Sequence, residues 1–433
     1  MSYSSSVLAL LKRIGAEEGD LLRVRSTDRE YLGVLMPHHD FSGPDILVVK
    51  LKSGYNVGIE LRECTEVDVV RKAAKREKRS VAPKIDHVVK KDVAVIGTGG
   101  TIASYVDYRT GAVHPAMSAS DLVLAVPEIA DPCNVKAEAL FSIFSENMRV
   151  EHWQRLACRV YERIEEGVEG CIVPHGTDTM GYTSAALSFM LEDLPRPVVV
   201  VGAQRSSDRP SSDAYTNLLA ATRFVVESDA AETFLLMHES PSDLTALVHR
   251  GTRARKMHTS RRDAFKSINA QPVARIHFEG GIEYLDQYEK KSGKKPRLRI
   301  EMEDNVALVH FYPGMRADLF KEVMLNHRGV VIAGSGLGHV SDDMVRSVKK
   351  AVESGVAVVM TSQCLSGHVN LNVYDTGRDL QSAGVIPGGD MLPETAYIKL
   401  MWSLAQAGSE KELSEMMQKD LRGELSERRE LDG

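Results

Sequence analysis

Residues 92–100 read Asp92-Val93-Ala94-Val95-Ile96-Gly97-Thr98-Gly99-Gly100, a run of small and β-branched apolar side chains that ends in a glycine turn. The pattern returns in Gly170-Cys171-Ile172-Val173-Pro174-His175-Gly176 and again in Arg196-Pro197-Val198-Val199-Val200-Val201-Gly202-Ala203-Gln204. Unbroken apolar runs, rather than alternating ones, mark strands covered on both faces, as in parallel sheets. Helices are expected between them, for example over residues 150–167 and 182–194. Strand and helix therefore alternate, which predicts βαβ units and an α/β sheet. A second set of such units begins near Asn305 with VALVHFYPG, GVVIAGSG and GVAVVMTSQ. The expected fold class is a two-domain α/β core of parallel sheets, preceded by a small β-barrel.

The barrel is the reading of residues 1–70. Four or five short runs rich in Val, Leu and Ile are broken by Ser42-Gly43-Pro44-Asp45 and Ser53-Gly54. Closing so small a sheet removes its edges. His38-His39-Asp40 reads as loop polarity, since no second ligand cluster accompanies it. Residues 71–91 hold nine basic and two acidic residues without interleaved aromatics, so they read as a soluble helical linker that ends near Pro83 rather than a nucleic-acid patch. Residues 92–300 form the larger α/β domain and 301–433 the smaller one, whose tail from residue 408 is expected to be a charged amphipathic helix on a solvated flank.

Composition narrows the function classes. The 433 residues carry 54 Lys plus Arg against 60 Asp plus Glu, a formal charge of −6, whereas a protein gripping nucleic acid over most of its surface is strongly basic. No apolar stretch approaches the ~20 residues that span a bilayer, and the first twenty residues lack a signal-peptide pattern. Five cysteines with no C-x-x-C pair read as reduced and structural, in a cytoplasmic protein.

In an open α/β sheet the chemistry lies at the carboxyl ends of the strands. Three such ends here are polar. Gly97-Thr98-Gly99-Gly100-Thr101 lacks both dinucleotide and P-loop spacing, and its threonines serve equally well as helix caps or as a nucleophile. In His175-Gly176-Thr177-Asp178-Thr179 the hydroxyls and carboxylate also suit capping, and His175 reads as a structural hydrogen-bonding group. Gln204-Arg205-Ser206-Ser207-Asp208 forms the third polar loop. Together they argue for a pocket that takes a polar substrate. A hydroxyl nucleophile needs a base. No G-x-S-x-G elbow is present, but Lys256, within Arg253-Ala254-Arg255-Lys256-Met257-His258, is either such a base or a solvated charge.

TGGTIA (residues 98–103) and HGTDTM (residues 175–180) together closely resemble the two signature motifs of the type I/II L-asparaginase family. Lys256 with Asp263-Ala264-Phe265 resembles that family's lysine segment, and Ser145-Glu146-Asn147-Met148 its substrate loop. The resemblance spans residues 90–405. About ninety residues precede the core, and an asparaginase-like core behind a β module is similar to the D subunits of archaeal glutamyl-tRNA(Gln) amidotransferases.

The resemblance implies a glutaminase that releases ammonia for a partner E subunit, which converts Glu-tRNA(Gln) to Gln-tRNA(Gln). The other reading is a free cytosolic L-asparaginase with an appended module. Thr101 would be the nucleophile, with Tyr108 in contact with it. Thr177 and Lys256 would form a second hydroxyl–base pair oriented by Asp178. Ser145 and Glu146 would hold the substrate's α-carboxylate and α-ammonium, with Gly100 and Gly176 lining the site. No metal or cofactor is implied in this chain. ATP and Mg would act in the partner subunit, and tRNA would be held mainly there. A homodimer is implied, with residues 334–339 as a loop reaching the neighbouring site. Residues 104–111, polar and without clear periodicity, are expected to form a lid.

Overall fold

The computed structural model describes residues 3–26, 29–36, 38, 43–51, 56–72, 90–99, 104–106, 113–115, 127–205 and 212–426. Gly100, Thr101 and Tyr108 lie outside them, as do most of the basic linker and His39-Asp40 of the histidine loop. The described helices are α1 (Ser5–Ile14), α2 (Val150–Glu165), α3 (Met180–Met190), α4 (Ala214–Glu227), α5 (Ala317–Leu325), α6 (Asp342–Glu353), α7 (Asp375–Ser382), α8 (Pro393–Gln406) and α9 (Glu410–Gln418).

The N-terminal module is an antiparallel five-stranded sheet in the order Asn56–Glu60, Ile46–Leu51, Glu30–Leu35, Leu21–Ser26, Cys64–Arg71. Pairing between the two outer strands, which would close a barrel, does not occur among the described residues. The inner face is packed instead by α1, which the strand-oriented reading missed. Its signals are present in the sequence. Ser4 Oγ accepts the Val7 amide at 3.3 Å, and Gly15 ends the helix at φ 64° with its N–H on Leu11 and Lys12 carbonyls. Val7 and Leu11, one turn apart, are buried against Leu22, Val24, Leu47 and Ile59.

The large sheet has eight strands. Its central parallel set is Val198–Val201, Cys171–Pro174, Lys91–Gly99 and Cys133–Ile143, with Thr233–His238 parallel beyond Val198–Val201 and antiparallel strands after that. Alternate residues of these strands enter different cores. Ala94, Ile96, Cys171, Val173, Val198 and Val200 meet α2 and α3, whereas Val93, Val95, Ile172, Val199 and Val201 meet α4. The helix α2 offers Trp153, Leu156, Ala157, Val160 and Ile164, an i, i+3, i+4, i+7 stripe. Each fully buried Val, Leu or Ile contributes about 1.5–3 kcal/mol. The second sheet, Val306–His310, Gly329–Gly334, Ala357–Ser362 and Ile386–Pro387, is parallel throughout. One of its faces is covered by α5 and α6. The other shares the first core through α8, whose Trp402 stacks on Phe189 of α3 at 5.9 Å.

Two expectations are corrected. Residues 104–106, expected to lack strand character, pair antiparallel with Val113–Pro115. The tail is not one solvated helix: α9 stops at Gln418, and the chain then turns inward. The cause is a buried charge on another helix, invisible to local periodicity. Lys399 of α8 donates to the Met417 carbonyl at 3.1 Å and the Lys419 carbonyl at 2.6 Å, and pairs with Glu424 at 2.5 Å. Both side chains are 0% exposed. Glu424 in turn accepts the amides of Leu421 and Arg422 at 3.1 and 2.6 Å.

Removing one partner of a buried ion pair strands the other. Glu424→Gln is expected to cost about 3–5 kcal/mol of unfolding free energy, whereas Lys399→Met/Glu424→Leu, which strands no charge but frees the backbone groups that the pair bonds, should cost less. Denaturant melts of the two variants check this.

Candidate active site

The carboxyl ends of Val198–Val201, Cys171–Pro174 and Lys91–Gly99 lie side by side, because these strands are neighbours in one parallel sheet. Thr98 Oγ1 donates to the Pro174 carbonyl at 2.9 Å, tying the first two polar ends together. Gly99 is required where it stands: φ is 99°, and a Cβ there would meet the backbone of Ile143 at 2.5 Å. That close approach coincides with the register shift between Gly97 and Gly99. At the third end, a Cβ on Gly202 would stand 2.8 Å from Thr177 Cγ2 and 3.2 Å from the His175 carbonyl.

Thr177 is buried, and the Asp178 side chain is 69% exposed. Lys256 sits on the strand Ala254–Lys256, which pairs with Phe265–Ser267 in a separate hairpin. Its ammonium donates to Thr177 Oγ1 at 2.8 Å and to Asp178 Oδ1 at 2.7 Å. It is 15% exposed, so the solvated-charge alternative does not hold. Three residues chosen from sequence thus converge although Lys256 lies 78 or more positions along the chain from the others. Ser145 is brought to the same loop, since its carbonyl accepts Thr179 Oγ1 at 2.7 Å. It lies buried in a 3-10 turn, Ser145–Asn147, beside an exposed Glu146. Gly176 is buried within the loop.

His175 has the structural role expected of it. It is fully buried, and burial pulls its pKa down to about 4, so it is neutral at pH 7. Nδ1 donates to the Gly176 carbonyl at 2.7 Å, and Nε2 accepts from Thr183 Oγ1 at 2.9 Å. Thr183 in turn accepts Trp153 Nε1 at 2.9 Å. This chain of three side chains fixes the peptide leading into Thr177. Sequence reasoning missed Trp153 and Thr183, which belong to two helices that meet only in the folded chain. It missed Asp213 too. Buried, this carboxylate accepts the amides of Gln204 and Arg205 at 2.9 and 3.0 Å and shapes the third polar loop. Its position just before α4 was the available signal. Asn217, one turn later, donates to the Gly202 carbonyl at 2.9 Å.

Among the described residues no group of three or more His, Cys, Asp or Glu side chains is placed to hold a metal ion. No helix among them is long and apolar enough to cross a membrane.

Two outcomes follow from the packing. Gly202→Ala should displace Thr177 and lower kcat about tenfold or more, with KM less affected, in steady-state assays. His175 must charge on unfolding at acid pH, because its folded pKa of about 4 lies below the unfolded value near 6.5. The unfolded state therefore binds the extra proton between those values, and this contribution to stability is lost as pH falls from 6.5 to 4. Relative to His175→Asn, wild type should lose up to about 3 kcal/mol across that window, read from paired melts.

Comparison with known proteins places this geometry. Residues 92–290 match the asparaginase N-terminal domain, 305–417 the glutaminase/asparaginase C-terminal domain, and 16–70 the GatD N-terminal domain. The L-asparaginase of Thermococcus kodakarensis superposes with a TM-score of 0.71 at 29% identity, covering 78% of this chain and all of that one. L-asparaginase I of Vibrio cholerae gives a TM-score of 0.69 at 29% identity over 78% of this chain and 99% of its own. The glutamyl-tRNA(Gln) amidotransferase D subunit of Pyrococcus furiosus is 51% identical over 96% of both chains. That of Saccharolobus solfataricus is 42% identical over 100% of this chain and 98% of its own. With an asparaginase core and the N-terminal module in one chain, this protein belongs to the family of glutamyl-tRNA(Gln) amidotransferase D subunits.

Proposed function

We propose that this chain is the glutaminase of a tRNA-dependent amidotransferase and acts in the cytoplasm with an E subunit. The observation that carries the reading is the contact of Lys256 with both Thr177 and Asp178 at the ends of parallel strands, in a chain of this family.

Thr101 Oγ attacks the side-chain carbonyl carbon of glutamine. The tetrahedral oxyanion is stabilised by amides of the glycine turns, among them Gly100 and Gly176. The C–N bond then breaks, a proton goes to the leaving nitrogen, and ammonia departs, leaving a glutamyl ester on Thr101. Water hydrolyses the ester to glutamate and frees the threonine. The resemblance gives Tyr108 the part of assisting proton transfer at Thr101. The Lys256 amino group reaches both Thr177 Oγ1 and Asp178 Oδ1, which sets it to exchange a proton with Thr177. Thr177 and Lys256 then serve as relay, and Asp178 holds the lysine and the substrate's α-ammonium. Ser145 and Glu146 receive the α-carboxylate and α-ammonium ends. The exposure of the Asp178 carboxylate suits a group that must meet substrate.

The ammonia would pass to the E subunit, which would use ATP and Mg to activate Glu-tRNA(Gln). The formal charge of −6 fits a protein that leaves most of the tRNA to its partner. Two copies of this chain pair, with residues 334–339 turned toward the neighbouring site. In that loop Gly336 and Gly338 have φ of 52° and 102°, and the Ser335 amide bonds the His339 carbonyl at 2.9 Å, a tight turn able to present backbone groups.

The test uses the assembled amidotransferase, whose sedimentation mass should equal two copies of each of its chains. Thr101→Ala, Thr177→Val, Asp178→Asn and Lys256→Met should each lower glutamine-dependent amidation by roughly 10²–10⁴-fold. Amidation with ammonium salts should be retained. Loss of ammonium-dependent amidation in folded variants would show that the site does not serve to generate ammonia.

A further inference from the structure

The two strands of the hairpin that carries Lys256 are three residues each and pair only with one another, so Ala254, Ala264 and Phe265, packed in the first core, hold it rather than a wider ladder. Three of the residues around it are also held from outside. Thr252 Oγ1 donates to the Arg422 carbonyl at 3.0 Å, and the Thr252 carbonyl accepts Thr395 Oγ1 of α8 at 2.8 Å. Arg253, buried, spreads its guanidinium over three partners: the Gly423 carbonyl at 2.7 Å, Asp390 at 2.9 Å and Ser426 Oγ at 3.0 Å. Arg255 pairs with Glu394 of α8 at 3.2 Å.

Half of these contacts end on residues 420–426, the segment that the buried Lys399–Glu424 pair draws inward. The same segment also grips the other half of the site. Arg422 donates to the Ser188 carbonyl of α3 at 2.9 Å and pairs with Glu192 at 2.9 Å. The helix α3 follows directly after Thr177, Asp178 and Thr179. Residues 420–426 therefore touch both the support of the lysine and the support of the threonine. Gly423 lies against the Arg250 side chain at φ 71°, a conformation that favours glycine there.

We propose that the C-terminal segment 420–426 is a brace that sets the distance between Lys256 and Thr177, and that Arg253, Lys399 and Glu424 are positioning residues acting through Lys256. The inference rests on the role given to Lys256 above. None of the three needs to touch substrate. A small displacement of the hairpin lengthens the Lys256–Thr177 contact and slows proton transfer while leaving glutamine binding intact.

The test measures turnover of isotopically labelled glutamine in the assembled amidotransferase. Two variants are used: Arg253→Lys, which keeps a charge for Asp390 but cannot span three partners, and Lys399→Met/Glu424→Leu, which removes the buried pair whole. Each should lower kcat about 10- to 100-fold with KM within about twofold of wild type. Each should have no further effect on the residual rate of Lys256→Met, because residues that act through one group are not additive. Wild-type kcat in both variants overturns the brace. So does a loss that multiplies the Lys256→Met defect by the same factor, the mark of a purely structural role. A Lys256→Met protein with wild-type turnover would instead overturn the reading of the site on which the brace depends.

Discussion

The central strands are buried on both faces, and that constraint governs where this protein can place polar chemistry. Along Val198–Val201 and Cys171–Pro174 every residue is buried, so a hydroxyl or carboxylate there would have to be buried too, at a cost unless it found a partner. Polar groups are admitted where the strands end and the backbone turns away. Three adjacent strands end together, and a Cβ has no room at Gly99, which meets the backbone of the fourth strand at Ile143, or at Gly202, which meets Thr177 and His175. The shape of the site follows from how tightly three loops pack at one sheet edge.

The two halves of the site have different supports. Thr177 and Asp178 belong to a strand end held by the Trp153–Thr183–His175 chain, and Lys256 belongs to a hairpin outside the main sheet. An ion pair cannot by itself hold these halves together. Asp178 is 69% exposed, and a pair so open to water contributes about 0–1 kcal/mol, comparable with the entropy of fixing a lysine side chain. Packing has to do what the charges cannot. The core shared by the two sheets, with Trp402 against Phe189, supplies it at the level of domains, and the buried contacts of Thr252 and Arg253 supply it at the hairpin.

The N-terminal module shows the same division in miniature. Its strands are legible from alternation and turn residues, but α1 fills the inner face that a barrel closure was expected to cover. Ser4 and Gly15 mark that helix at both ends, so the information was local and went unread. The inward turn after α9 is different in kind. Nothing in residues 408–426 announces that a lysine on another helix will take up their carbonyls.

By itself the sequence determined the parallel α/β core, through unbroken apolar runs that tolerate no exposed face, and it marked Thr177 and Asp178 through a short polar motif at a strand end, whereas Ser145 and the role of Lys256 came from resemblance to a known family. Such features are local, because burial period and turn chemistry act over a few residues. Tertiary structure alone decided that Lys256 lies 2.8 Å from Thr177, that His175 is buried neutral and oriented by Thr183 and Trp153, and that the tail folds back on a buried charge. Each of these joins residues far apart in the chain, and their partners are selected by the free energy of close packing and of satisfying buried polar groups, which is defined only once the whole chain is folded.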